Sequence, residues 1–253
     1  MSNTIQKVIC VPGGVAPAAQ RYAPLEAAIT GRARLFPNDL EVYREDQPPA
    51  GYAIEAELAA LDQLADSLRL DRFHLVGYSG GGYVSLAYAG TRPRRLLSLA
   101  VFEPAMVPGD LTPAEQDFWN ALQSQLAGLD GAAFSRPLCA RRSRRECRSP
   151  SAASFARDEQ KTGGSGGAKS SVSGLSIRPR PLREVMFPAY YGYGDESHSE
   201  QAVKAGILAQ PLPDLHVQRF SHVHHFVAPE QIYSLDHVEA LQTLWSRGEQ
   251  DSA

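Results

Sequence analysis

Two rhythms of apolar and polar positions alternate along most of the chain. Val8-Ile9-Cys10-Val11 is a short apolar run closed by Pro12-Gly13-Gly14, the pattern of a buried strand that ends in a turn. Residues 17–29 then read as a helix and 33–36 as a weak strand. Ile54, Leu58, Leu61, Ala65 and Leu68 recur at helical spacing, with Glu55, Glu57, Asp62 and Asp66 assigned to the wet face. The run 73–77 reads as a strand, the segment through Tyr83 and Tyr88 as a helix, and 96–102 as a strand. Thr112-Pro113-Ala114-Glu115 is a capping box that opens a helix with an apolar face of Phe118, Leu122, Leu126 and Leu129. Further on come a strand-like run at 185–191, a helix near 200–208, a strand at 215–220 and a last helix over 229–245. Strands alternating with helices predict an α/β protein with a mainly parallel sheet.

The rhythm breaks at 135–183. Only 13 of those 49 residues are apolar, ten are serine, and Gly163-Gly164-Ser165-Gly166-Gly167 cannot contribute to a core. The formal charge of −3 for 253 residues hides this, because the block holds 12 Lys/Arg against 3 Asp/Glu, a local +9. Arg141-Arg142-Ser143-Arg144-Arg145 could meet an anion, but without interleaved aromatic residues a nucleic-acid partner is not expected. A solvated loop is the plainer reading, and a local shift of reading frame fits the abrupt edges. Apart from this block, 43% apolar and 21% charged residues suit one folded domain over 1–253. No apolar run is long enough to span a bilayer and the start does not read as a signal peptide, so a cytoplasmic protein without a membrane partner is expected. Cys10, Cys139 and Cys147 have neither disulfide-framework nor metal-finger spacing.

The chemistry centres on Gly77-Tyr78-Ser79-Gly80-Gly81, where a strand ends and a helix begins. A nucleophile elbow needs that context: the turn is sharp, the serine is strained, and the flanking positions must be small for strand and helix to approach. A serine hydroxyl is a weak nucleophile, so it needs a base, and the base needs an orienting carboxylate. Downstream, Asp195 closes Tyr191-Gly192-Tyr193-Gly194-Asp195, and His222-Val223-His224-His225-Phe226 follows the last strand. The three histidines lack the carboxylate or cysteine spacing of a metal site, so no metal or other cofactor is expected.

These residues resemble the α/β-hydrolase superfamily over about 200 residues, everything but the middle block. The resemblance implies Ser79 as nucleophile, Asp195 as acid and His225 as base. His225 is preferred to its alternative His224 because Phe226 follows it directly. Glu103, at the end of the strand after the elbow, is the acid position of some relatives and stands as the alternative to Asp195. An oxyanion hole would be formed by the amides of Gly80 and Val15, with Gly14 the alternative to Val15. The family also implies a lid insertion at 104–184, here containing the atypical block 135–183.

Together these features lead to an expected serine hydrolase of esterase type. It would act on a small ester, thioester or lactone through a Ser-His-Asp triad and an acyl-enzyme. The contrasting reading is a hydrolase-like protein that binds a ligand without catalysis, or a hydrolase impaired by its lid.

Overall fold

The computed structural model describes residues 5–14, 16–29, 31–44, 50–105, 182 and 185–251. The predicted helix at 118–129 falls outside them, as do the basic block apart from residue 182 and the lid apart from residues 104, 105 and 182. Six strands are described: β1 (Gln6–Val11), β2 (Ala33–Pro37), β3 (Phe73–Tyr78), β4 (Leu96–Phe102), β5 (Ala189–Gly194) and β6 (Leu215–Phe220). They pair in the order β2-β1-β3-β4-β5-β6, and every pairing is parallel.

Side chains alternate across the sheet as the pleat requires. Ile9, Leu75, Leu99 and Tyr191 face one core, with residues of α2 (Ile54–Ser67), α3 (Gly80–Thr91) and α4 (Glu200–Leu208). Val8, Val76, Ala100 and Tyr190 face the other, with residues of α1 (Ala18–Ala28) and α6 (Leu235–Gln250). Because helices cover both faces, β3 and β4 are buried along their whole length.

The order reverses between β1 and β3: the chain leaves β1 outward for β2, then returns past it to β3. Ligand crevices of open parallel sheets lie beyond the carboxyl ends of strands at such a switch. Register places those ends side by side, since Val11 pairs with Gly77, Tyr78 with Phe102, Phe102 with Gly192 and Gly194 with Phe220.

Three expectations change. Glu57, assigned to the wet face of α2, is buried, and its carboxylate accepts the N–H groups of Glu41 and Val42 and the hydroxyl of Tyr52. The strand expected over 185–191 begins at Ala189, because Pro188 has no N–H to add to the ladder. The last helix is two pieces, a short α5 (Pro229–Ile232) and α6, with Ser234 extended between them at the head of α6.

Candidate active site

Ser79 is the first residue past β3 and stands at φ 53° and ψ −118°, in the left-handed half of backbone space that a side chain disfavours. The neighbouring glycines make the turn possible. A β-carbon on Gly77 would strike Ser85 Oγ and sit 2.6 Å from the Gly81 carbonyl oxygen, and one on Gly81 would run into the carbonyls of Val11 and Pro12. Gly13, in the turn after β1, also comes close: its absent β-carbon would lie 2.8 Å from that of Ser79. The serine is thereby fixed between the ends of β1 and β3, half-buried, at the head of α3.

His225 Nε2 lies 3.0 Å from Ser79 Oγ, and its Nδ1 lies 2.7 Å from Glu103 Oε2. The tautomer that satisfies both contacts carries its proton on Nδ1, donates it to the carboxylate and accepts the serine O–H at Nε2. The Glu103 side chain is fully buried, and its other oxygen accepts the Gly194 N–H at 2.8 Å and the Ser197 hydroxyl at 2.5 Å. Burial works to raise this carboxyl. The hydrogen bond and charge of His225, with the donors Gly194 and Ser197, outweigh burial and hold it below the usual carboxylate range.

The acid expected from the sequence was Asp195; the structure joins Glu103 to His225 instead. Both residues sit one step past a strand end, with the Glu103 N–H bonded to the Gly192 carbonyl and the Asp195 N–H to the Phe220 carbonyl. They differ in place. β4 lies next to β3, whereas β5 is one strand further from the serine. Asp195 Oδ1 accepts the backbone N–H of His222 at 2.8 Å, which makes it a brace for the histidine loop. His224, the alternative base, turns its Nδ1 to accept the Phe226 N–H at 3.1 Å, and burial lowers its pKa against the pull of Glu196 and Glu103.

Gly80 opens α3, so its N–H has no partner within the helix and remains available to a ligand. Val15 lies outside the described residues. Gly14 is present in the turn, with the Tyr43 ring packed against it. No group of three or more His, Cys, Asp or Glu side chains is arranged for a metal ion, and no helix is long and apolar enough to cross a membrane, among the described residues.

Sequence reasoning passed over two residues around the imidazole. Ser197 anchors Glu103, two positions after the acid that was expected. Tyr78 stacks on His225 with ring centroids 5.2 Å apart and planes 20° apart, and its hydroxyl donates to the His225 carbonyl. The variable position before the serine of the elbow motif carries no composition signal that would have singled it out.

Residues 43–227 match the family model described as the alpha/beta hydrolase fold. A 2-hydroxy-6-oxo-2,4-heptadienoate hydrolase of Pseudomonas putida is 35% identical over 110 residues, which are 42% of this chain and 40% of that protein. The match thus spans well under half of that relative. Among solved structures, a carboxylesterase of Nitrososphaera gargenis superposes with TM-score 0.71 at 13% identity, covering 99% of this chain and 93% of its own. An esterase of Thermogutta terrifontis gives 0.70 at 20% identity, covering 97% of this chain and 91% of its own. At such identities the superpositions speak for the fold alone. The family match covers most of the chain and includes the elbow, Glu103 and the histidine loop, and the chain belongs to the alpha/beta hydrolase fold family.

Proposed function

We propose that the protein is a serine hydrolase of esterase type that acts on a small ester, thioester or lactone through an acyl-enzyme. The observation that carries this reading is the unbroken relay from Ser79 Oγ through His225 to Glu103, at 3.0 and 2.7 Å. Such a relay serves acyl transfer because each member supplies what the next lacks.

Ser79 Oγ attacks the carbonyl carbon while its proton passes to His225 Nε2. The imidazolium that forms is stabilised by the Glu103 carboxylate. Negative charge gathers on the former carbonyl oxygen, where the Gly80 N–H at the head of α3 meets it; losing one such donor typically costs about 100- to 1000-fold in rate. The bond to the leaving group then breaks and His225 returns the proton to that group. Water, deprotonated by the same imidazole, releases the acid and regenerates Ser79. Glu103 takes the role expected of Asp195, so the triad is Ser-His-Glu.

Reaction with a fluorophosphonate probe tests the reading. Wild type is expected to be labelled and Ser79→Ala not. An unlabelled wild type, or equal labelling of both proteins, contradicts it.

A further inference from the structure

Arg21 lies on the second turn of α1, a position that the acyl-transfer chemistry does not use. Its side chain is 3% exposed, and its guanidinium carbon lies 3.5 Å from the centre of the Tyr78 ring. Nε and one terminal nitrogen are buried with no hydrogen-bond partner, and no carboxylate pairs with the group among the described residues. A cation in that state is costly to bury, and an apolar side chain of similar length usually serves stability as well or better. Stability therefore does not account for it.

What the guanidinium touches does. Tyr78 is the residue before the nucleophile, and it holds His225 twice, by its ring and by its hydroxyl on the His225 carbonyl. A cation held against a phenol ring draws electron density from it and makes the hydroxyl a better donor. The 221–228 loop is tied at its start by Asp195, but the imidazole itself is held by Glu103 on its edge and Tyr78 on its face.

We propose that Arg21 is a positioning residue for His225, acting through Tyr78. It fixes the plane in which the imidazole exchanges a proton with Ser79. The inference rests on the serine-hydrolase reading, in which a displacement of about 1 Å can cost on the order of 100-fold.

The test is a double-mutant cycle on hydrolysis of p-nitrophenyl acetate by wild type, Arg21→Met, Tyr78→Leu and the double variant, with Arg21→Lys beside them. Arg21→Met is expected to lower kcat about 10- to 100-fold, with KM within about twofold and an undiminished unfolding midpoint. Arg21→Lys should recover part of the loss. In the Tyr78→Leu background, Arg21→Met should have no further effect, because the path to His225 is already cut. If Tyr78→Leu does not fold, Tyr78→Phe replaces it, and the Arg21→Met effect should shrink there. An unchanged kcat, the same fold-loss in both backgrounds, or a loss that follows the folded fraction overturns the proposal.

Two controls separate this inference from the reading beneath it. A wild type that neither turns over esters nor takes the fluorophosphonate fails both; a labelled wild type with an unaffected Arg21→Met fails this one alone. Without any turnover, the downfield proton resonance of the His225 Nδ1–H bonded to Glu103 should broaden in Arg21→Met. A resonance as sharp as in wild type also speaks against the proposal.

Discussion

At the scale of single residues, the decisive question is which carboxylate serves the histidine. Glu103 and Asp195 occupy equivalent steps past neighbouring strands, and both spend an oxygen on a backbone N–H. Only Glu103 also reaches the imidazole. Glu103→Gln should therefore lower kcat on p-nitrophenyl acetate by about 1000- to 10,000-fold, since an amide in that place stabilises neither the required tautomer nor the imidazolium. Asp195→Asn should cost less than about tenfold, because its carbonyl still accepts from His222. The reverse ranking would restore Asp195 as the acid. The meeting of Ser79 with His225 was legible in the sequence because an elbow and a histidine after the last strand are local patterns. The choice between Glu103 and Asp195 was not, because it depends on strand order and on where a histidine five residues past β6 comes to rest. Arg21 and Tyr78 were hidden for the same reason: residues 57 positions apart meet only after β1, α1 and β3 have packed.

At the scale of elements, periodicity found most strands and helices and missed where polar groups override it. Glu57 looks like a solvent-facing residue of α2 until the turn at Glu41–Tyr43 supplies N–H donors for a buried carboxylate. The break between α5 and α6 likewise depends on a long-range need. It lets the Ile232 carbonyl accept both the Ser234 N–H at 2.9 Å and His237 Nδ1 at 3.0 Å. The junction of β3 with α3 is tightly specified, because Gly81 lies against the carbonyls at the end of β1. Gly81→Ala forces a methyl group into that backbone, and overpacking of this kind costs about 1–3 kcal/mol. A lower urea midpoint together with lost esterase activity is the expected result. A variant with wild-type midpoint and rate would show that the elbow has slack the geometry denies.

At the scale of the whole molecule, the core contains a pH liability. The His237 ring lies against those of Phe102, Tyr190, Phe220 and Tyr233, and burial pushes its pKa down to about 4 despite its bond to the Ile232 carbonyl. An unfolded histidine titrates near 6.5, so above that pH both states are neutral and the stability is intact. As pH falls from about 6.5 toward 4, the unfolded chain takes up the proton first, and up to about 3 kcal/mol is lost before the folded state also titrates. His74, whose pKa is lowered by burial although Glu249 opposes the shift, adds to the loss in the same direction. Urea midpoints measured from pH 7 to pH 4 should fall for wild type and fall less steeply for His237→Phe. Equal slopes would remove His237 from the account. The sequence could place a histidine in the last helix but not among four aromatic rings contributed by β4, β5, β6 and the α5–α6 junction.

The central claim is that Ser79, driven by His225 and Glu103, carries the acyl group. Intact-protein mass spectrometry during turnover of a slowly hydrolysed p-nitrophenyl ester measures this directly. Wild type should gain the mass of one acyl group, mapped to the peptide containing Ser79. Glu103→Gln should gain it far more slowly, and Ser79→Ala not at all. Ester hydrolysis by Ser79→Ala at the wild-type rate, or an acyl group mapped to another residue, would contradict the account.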